Sequence, residues 1–464
     1  MNLGPVERPL KILYASAEIS PFSKVGGLAD VAASLPKALA ELGHDVRVIT
    51  PDHGGRAEKT SAQLALSTTI SFLGREEPVE LVHALASPDV PLYFVRNHRY
   101  FHHTQVYGAP DDLLRYHLFS QVVLESPKLL DWRPDILHCN DWHTALLPFG
   151  LRNRAWSDSW YRPMASVLTI HNLGYRGPDN LTDVLSQGIY YADVINTVSR
   201  TYAQEITTPE LGEGLHTLLR LRQDRLFGIV NGLDITVYDP RSDPDLVEGF
   251  DAAHLLGKSK NKEALQARLG LPVTTAIPLA GMVTRLVEQK GVDLLVGALE
   301  KAVQELGMQF AILGTGDPAL QNQLQDIASR YPASVRLVLA FEPKLGQLIY
   351  GGSDLFLMPS RYEPCGLGQL IAMRYGTVPV VRKTGGLADT VVDVAPDLSA
   401  GTGFVFEPYQ QQALYEALRR ATVAFQDRGT WEKLQRRCMT QDFSWTASAR
   451  EYSAMYYRAL KARG

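Results

Sequence analysis

Cysteine is scarce in this chain of 464 residues: Cys139, Cys365 and Cys438 stand far apart and are odd in number, which argues against a disulfide framework and against a zinc ribbon. A reducing compartment follows, with the cytoplasm as default. No stretch reaches the roughly 18 apolar residues that a membrane helix needs. Met1 to Leu10 also lacks the apolar run of a secretory signal, so a soluble protein with no membrane partner is expected. Neither sign of charge is in excess. Fifty acidic side chains against 46 basic ones give a formal net charge of −4. Nothing in the overall field favours nucleic acid, and any anionic ligand must be held by local cations. Two nucleotide loops are missing as well: there is no G-x-x-x-x-G-K-[ST], and no G-x-G-x-x-G follows the first expected strand. These absences count against P-loop and nicotinamide chemistry.

What the chain does contain is an ordinary globular composition, 45% hydrophobic with 37 glycines and 27 prolines. At roughly 150 residues per domain its length accommodates three domains, or two large α/β ones. Short β-branched or apolar runs alternate with amphipathic stretches from end to end, the pattern of parallel sheets covered by helices on both faces. Expected strands are 11–16, 45–50, 135–138, 166–170, 194–198 and 226–230, then 277–283, 309–313, 334–341, 354–358, 378–381 and 403–406. Between the two series, Tyr238 to Lys262 is rich in Asp, Pro and small polar residues, which places a boundary near Asp243. The fold class is therefore α/β with two doubly wound domains, 1–243 and 244–445, and an amphipathic helix over 446–464. Leu294, Leu295, Ala298, Leu299, Ala302, Val303 and Leu306 recur at helical spacing and read as the packed face of a crossover helix.

One internal echo matters. Lys24-Val-Gly-Gly-Leu-Ala-Asp30 returns as Lys383-Thr-Gly-Gly-Leu-Ala-Asp389, each copy between a strand and a helix. Paired glycines there let the backbone approach a ligand, and the free N–H groups of the helix start then face an anion. Gly26, Gly27 and Lys24 fit that use, although a lone loop lysine is more often merely solvated. Arg285 and Lys290 stand five residues apart after an expected strand, where open α/β sheets bind ligands. They suit the two phosphates of a nucleotide diphosphate or, more blandly, a helix entrance. In Ser360 to Gln369, Glu363 offers a carboxylate for hydroxyls or a plain helix-start charge, Gly366 opens an amide-rich turn, and Cys365 reads as a small packed residue. Asn140-Asp141-Trp142-His143 and His171-Asn172-Leu173-Gly174-Tyr175 close strands with polar and aromatic groups, suited to sugar or to a satisfied hydrogen-bonding corner. His98, His102 and His103 lack acidic or Cys partners at metal spacing and read as an exposed loop.

Together with Val230-Asn-Gly-Leu-Asp234 and Phe443-Ser-Trp445, these segments closely resemble the bacterial glycogen synthase and plant starch synthase family, family 5 of the glycosyltransferases, over nearly the whole chain. The resemblance implies a GT-B fold: two Rossmann-like domains facing a cleft, the first on the acceptor side and the second on the nucleotide-sugar side, with a final helix returning to the first. It implies retaining transfer of glucose from ADP-glucose to the non-reducing end of an α-1,4-glucan such as glycogen, with no metal and no other cofactor. By position, Glu363, Arg285, Lys290 and His171 would be catalytic. Lys24, Gly27, Asn231, Phe341, Cys365, Gly366, Leu367, Thr384 and Gly385 would contact the donor, Phe341 packing on adenine. Glu18, Asp141, Trp142, His143 and Asn172 would line the sugar side. With no placed carboxylate nucleophile, a front-face mechanism is implied, in which Glu363 is a binder and the leaving phosphate takes the acceptor's proton.

Departures from neighbouring patterns refine this. Many related retaining transferases carry an acid where Ile371 stands; its absence agrees with family 5 and counts against the runner-up, a retaining enzyme using UDP-glucose or another acceptor. Val25 and Gly368 differ from the commoner family residues, and Tyr100 to Arg115 is short for the acceptor-side loop. A phosphorylase would be far longer and need a pyridoxal phosphate lysine. An inactive glucan-binding scaffold would be expected to have lost one of Lys24, Arg285, Lys290 or Glu363, and all four are present.

Overall fold

The computed structural model describes residues 8–177 and 183–463, so most of the Met1 to Leu10 reading lies outside the described residues. The chain forms two compact units, one of residues up to Gly232 together with those from Ser444 onward, the other Leu233–Phe443. Each is built on its own sheet.

In the first unit the strands are β1 (Lys11–Ala15), β2 (Asp45–Pro51), β3 (Gln63–Phe72), β4 (Arg75–Ser87), β5 (Val90–Arg96), β6 (Ile136–Asn140), β7 (Ala165–Ile170), β8 (Val194–Thr197) and β9 (Leu226–Gly228). They lie in the order β3-β4-β5-β2-β1-β6-β7-β8-β9. From β5 to β9 all pairings are parallel, with Tyr14 of β1 beside Val48 of β2 and His138 of β6. The expectation of parallel strands throughout is corrected at one end: β3, β4 and β5 form an antiparallel meander that the residue pattern did not reveal. Phe72 faces Arg75 across a two-residue turn in which Leu73 and Gly74 both have positive φ, the mirror-image turn that matches strand twist. A leucine there masks the usual Asn-Gly signal. β3 is also largely exposed, so apolar burial wrote little into its sequence.

The second unit holds β10 (Leu279–Val283), β11 (Gln309–Leu313), β12 (Val335–Val338), β13 (Leu355–Met358), β14 (Val378–Arg382) and β15 (Phe404–Phe406). Its order is β12-β11-β10-β13-β14-β15, all parallel, which is the doubly wound arrangement with its reversal between β10 and β13. The crossover helix Val292–Leu306 buries Leu294, Leu295, Ala298, Leu299 and Ala302, the face expected from their spacing. The boundary is corrected: the division falls at Gly232/Leu233, and Asp243 lies inside the second unit. There its carboxylate accepts from the Tyr375 hydroxyl at 2.6 Å and from Gln347 Nε2 at 3.1 Å. Polar hooks rather than apolar periodicity order this segment, so its composition reads as a linker.

The last helix, Trp445–Arg463, belongs to the first unit and buries Trp445, Ala449, Tyr452, Met455, Tyr456 and Ala459 against one face of its sheet. Its polar anchors are specific. Tyr456 shares a 2.8 Å hydrogen bond with His138 Nδ1, and Asn196 Nδ2 donates to the Tyr452 hydroxyl at 3.1 Å. Burial pushes the His138 imidazole down to about 3, which keeps it neutral under the helix. Tyr456→Ala should cost the first unit about 3–5 kcal/mol in urea unfolding. Tyr456→Phe, which only orphans a ring nitrogen, should cost about 1 kcal/mol.

Candidate functional site

Open α/β sheets bind ligands at the carboxyl ends of strands where the winding reverses. In the second unit that rule selects the loops after β10 and β13, and Arg285, Lys290 and Glu363 lie on them. Lys290 Nζ donates to Glu363 Oε2 at 2.6 Å, with side chains only 19% and 6% exposed. Two glycines let the loops close on one another. Gly291 has φ +73, and a Cβ there would sit 1.9 Å from the Pro359 carbonyl oxygen; Gly385, with φ +43, would place one 1.9 Å from the Glu363 carbonyl oxygen. Any larger residue would push the loops apart. Gly386 N–H then donates to the Glu363 carbonyl at 3.0 Å, drawing in the loop after β14.

Thr384 is buried and stands at the N-terminal cap position of the short helix Gly385–Thr390. Cys365, Gly366 and Leu367 form the turn into the helix Gly368–Arg374. Gln369 Nε2 fixes that turn by donating to the carbonyls of Cys365 at 3.1 Å and Gly366 at 2.9 Å, and to Thr390 Oγ1 at 3.2 Å. Arg285 is exposed, its guanidinium donating to Gln289 Oε1 at 3.4 Å. It lines a cavity of about 550 Å3 with Tyr238, Thr315, Gln347 and Ile371, and Phe341 borders it with its side chain 93% exposed. Sequence reasoning missed Gln289, Gln369 and Tyr238, because supporting residues carry no charge signature.

In the first unit the reversal lies between β1 and β6, which selects the loop holding Glu18, Lys24 and Gly27 and the turn at Asp141. Glu18 is 1% exposed and accepts from the backbone N–H groups of Val25 and Gly26; burial nevertheless raises its carboxyl above the usual range. Gly27 opens the helix Gly27–Glu41 onto open space: beyond its chain neighbours and its own helix backbone, no atom of the described residues lies within 4 Å of where its Cβ would be. Lys24 is half exposed and paired with Asp30 at 2.7 Å.

Asp141 holds φ +54 and ψ −170, a region nearly reserved for glycine, so its backbone is strained. Its carboxylate accepts from the N–H of His171 at 2.7 Å and from that of Asn172. His171 Nε2 lies 2.9 Å from Asn140 Oδ1, while Asn140 Nδ2 donates to the Ala15 carbonyl. The amide oxygen is thus the acceptor, so His171 carries its proton on Nε2, and desolvation holds the imidazole down to about 3. Asn231 is buried, and its Oδ1 has no hydrogen-bond partner among the described residues. His143 is buried with neither ring nitrogen hydrogen-bonded among the described residues, and desolvation lowers it to about 3.

Trp142 needs correcting as a sugar platform: it is 6% exposed, stacked by His143 at 4.2 Å, edged by Tyr116 at 5.2 Å, and part of the core. His103 is likewise not simply exposed, lying half-buried 3.7 Å from Asp111, whereas His98 and His102 are open. Among the described residues, no three His, Cys, Asp or Glu side chains group where a metal ion could sit, and no helix is long and apolar enough to cross a membrane.

Asp141 titrates unusually. Burial, opposed by its two backbone hydrogen bonds, raises it to about 7. A raised carboxyl contributes stability that is complete below its unfolded value near 4 and is lost as pH rises through about 7. Asp141→Asn should abolish that loss, so its urea midpoint should change less than that of the wild type between pH 5 and pH 8.

Known proteins share this architecture. The starch synthase catalytic domain family matches residues 11–221, and the family of group 1 glycosyl transferases matches residues 262–430. A glycogen synthase of Geotalea daltonii is 42% identical over 98% of this chain and 100% of its own length, and one of Gloeobacter violaceus is 43% identical over the same shares. The catalytic domain of starch synthase IV from Arabidopsis thaliana, solved with ADP and acarbose, is 34% identical with a TM-score of 0.86, covering 98% of this chain and 100% of that one. A sucrose-phosphate synthase from Thermosynechococcus elongatus, 19% identical over 98% of this chain and 100% of its own, shares the fold with a TM-score of 0.61. Two parallel-sheet units, these matches and the loops just described make the chain a GT-B glycosyltransferase that belongs to the glycogen and starch synthase family.

Proposed function

We propose that this protein elongates glycogen or a related α-1,4-glucan by transferring glucose from ADP-glucose, with retention of configuration, to a non-reducing 4-hydroxyl. The observation that carries the reading is the Lys290–Glu363 pair at 2.6 Å, with the exposed Arg285 on the same loop as Lys290, at the point where the second sheet reverses. Arg285 and Lys290 hold the donor's diphosphate, and Glu363 binds the glucose hydroxyls, with the amides of Cys365, Gly366 and Leu367 nearby. Phe341 packs on the adenine. Thr384 and Gly385 meet the phosphates, while Lys24, Gly27 and Asn231 complete the donor contacts. On the sugar side stand Glu18, Asp141, His143 and Asn172. The fully neutral His171 adds no positive charge beside a centre that is itself becoming cationic.

In the reaction the bond from the anomeric carbon to the diphosphate oxygen breaks, and the bond from that carbon to the acceptor oxygen forms on the same face. The acceptor's proton passes to the departing diphosphate, whose charge Arg285 and Lys290 stabilise. No side chain is consumed, and no cofactor enters the balance. Work in the cytoplasm fits three cysteines that form no disulfide.

Purified protein incubated with glycogen and ADP-glucose, UDP-glucose or no donor decides the reading: glycogen should grow with ADP-glucose and much less with UDP-glucose. Faster growth with UDP-glucose would overturn the donor assignment. Lys290→Ala should lower kcat by about 100-fold or more. Phe341→Ala should chiefly raise the donor KM, by about tenfold.

A further inference from the structure

Glu363 is held unevenly. Its Oε2 accepts two hydrogen bonds, one from Lys290 Nζ at 2.6 Å and one from Ser360 Oγ at 3.1 Å. Oε1 accepts none from the described residues. The backbone of the same residue is fixed separately, by the N–H of Gly386 on its carbonyl. Ser360 itself is 1% exposed and follows Pro359, the residue whose carbonyl Gly291 abuts. A carboxylate oxygen can only accept, so the serine hydroxyl must be the donor in this contact. Its neighbours keep that hydroxyl in place. The carbonyl of Arg361 accepts from Arg382 Nη1 at 2.6 Å, and the N–H of Arg361 donates to the Gln289 carbonyl at 2.9 Å.

We propose that Ser360 is a positioning residue for the transfer, pinning Oε2 of Glu363 so that Oε1 is presented to a hydroxyl of the donor sugar. This rests on Glu363 binding that sugar. The two donors to Oε2 are not equivalent. Lys290 has a long flexible stem and a charge that an incoming diphosphate also attracts. Ser360 is short, buried and neutral, and no anionic ligand competes for it. When the lysine is shared with a diphosphate, the serine remains as the fixed hold on the carboxylate, and the direction of Oε1 survives donor binding. Geometry held this closely matters because an ångström of misplacement can cost about two orders of magnitude in rate.

The test compares Ser360→Ala, Ser360→Cys and Glu363→Gln, with steady-state kinetics on ADP-glucose and glycogen, calorimetric binding of ADP and thermal unfolding. Ser360→Ala should lower kcat at least tenfold while the ADP dissociation constant stays within about twofold of wild type, because ADP lacks the glucosyl group for Glu363 to meet. Ser360→Cys, of similar size but a weaker donor, should fall between the two; it takes over the decision if the alanine variant does not fold. Wild-type kcat in a folded Ser360→Ala or Ser360→Cys, alongside an inactive Glu363→Gln, overturns the role of Ser360. Loss of ADP affinity in step with kcat and unfolding temperature also overturns it, since that marks a merely structural residue. An active Glu363→Gln instead overturns the reading of Glu363 on which this role depends.

Discussion

A carboxylate and an ammonium group share one hydrogen bond at the carboxyl ends of β10 and β13, and much of the second unit's local chemistry serves to keep them there. Glu363 at 6% side-chain exposure would be costly as an isolated charge. Pairing offsets the cost only if the two loops approach closely, which is why glycine stands at 291 and 385, where a single Cβ would collide with a carbonyl oxygen of the neighbouring loop. Gln369 then reaches across to Thr390 and locks the amide-bearing turn to the third loop. Three loops from three parallel strands become one rigid surface, each contact requiring the others. The parallel sheet supplies the convergence at no further cost, since all its strands end on the same edge.

What the sequence makes legible follows from this. Charge and glycine are visible in a sequence, and Arg285, Lys290, Glu363 and the two Gly-Gly loops each follow a strand of their own sheet, as the strand pattern places them. The α/β class and the crossover helix were equally legible, because buried strands and an apolar stripe leave strong periodic signals. The β3–β4–β5 meander was not, as its turn uses Leu73 where Asn would announce it, and the outer strand is exposed. Asp243 was misread because its anchoring partners, Tyr375 and Gln347, lie more than a hundred residues away. Trp142 misled for a related reason: its neighbours in sequence are polar, whereas its neighbours in space are the core. Supporting residues such as Asn140, Gln369 and Ser360 are uncharged, and only their distances reveal them.

The candidate-site residues of the two units meet the same desolvation problem in opposite ways. In the second, buried charge is retained and neutralised by pairing, so the site keeps a strong local field that an anionic ligand can rearrange. In the first, charge is shed: His143 and His171 are both driven to about 3 and stay neutral, and Asp141 is raised to about 7. Glu18 follows the same trend despite two backbone donors. A surface of neutral imidazoles, an amide and carboxyls held by backbone N–H groups offers hydrogen bonds in both directions with little net charge, which suits a neutral, hydroxyl-rich ligand better than an ionic one. The strained backbone of Asp141 belongs to this arrangement. Its φ of +54 turns one carboxylate onto two consecutive N–H groups, those of His171 and Asn172, and so aligns the ends of β6 and β7 as a pair.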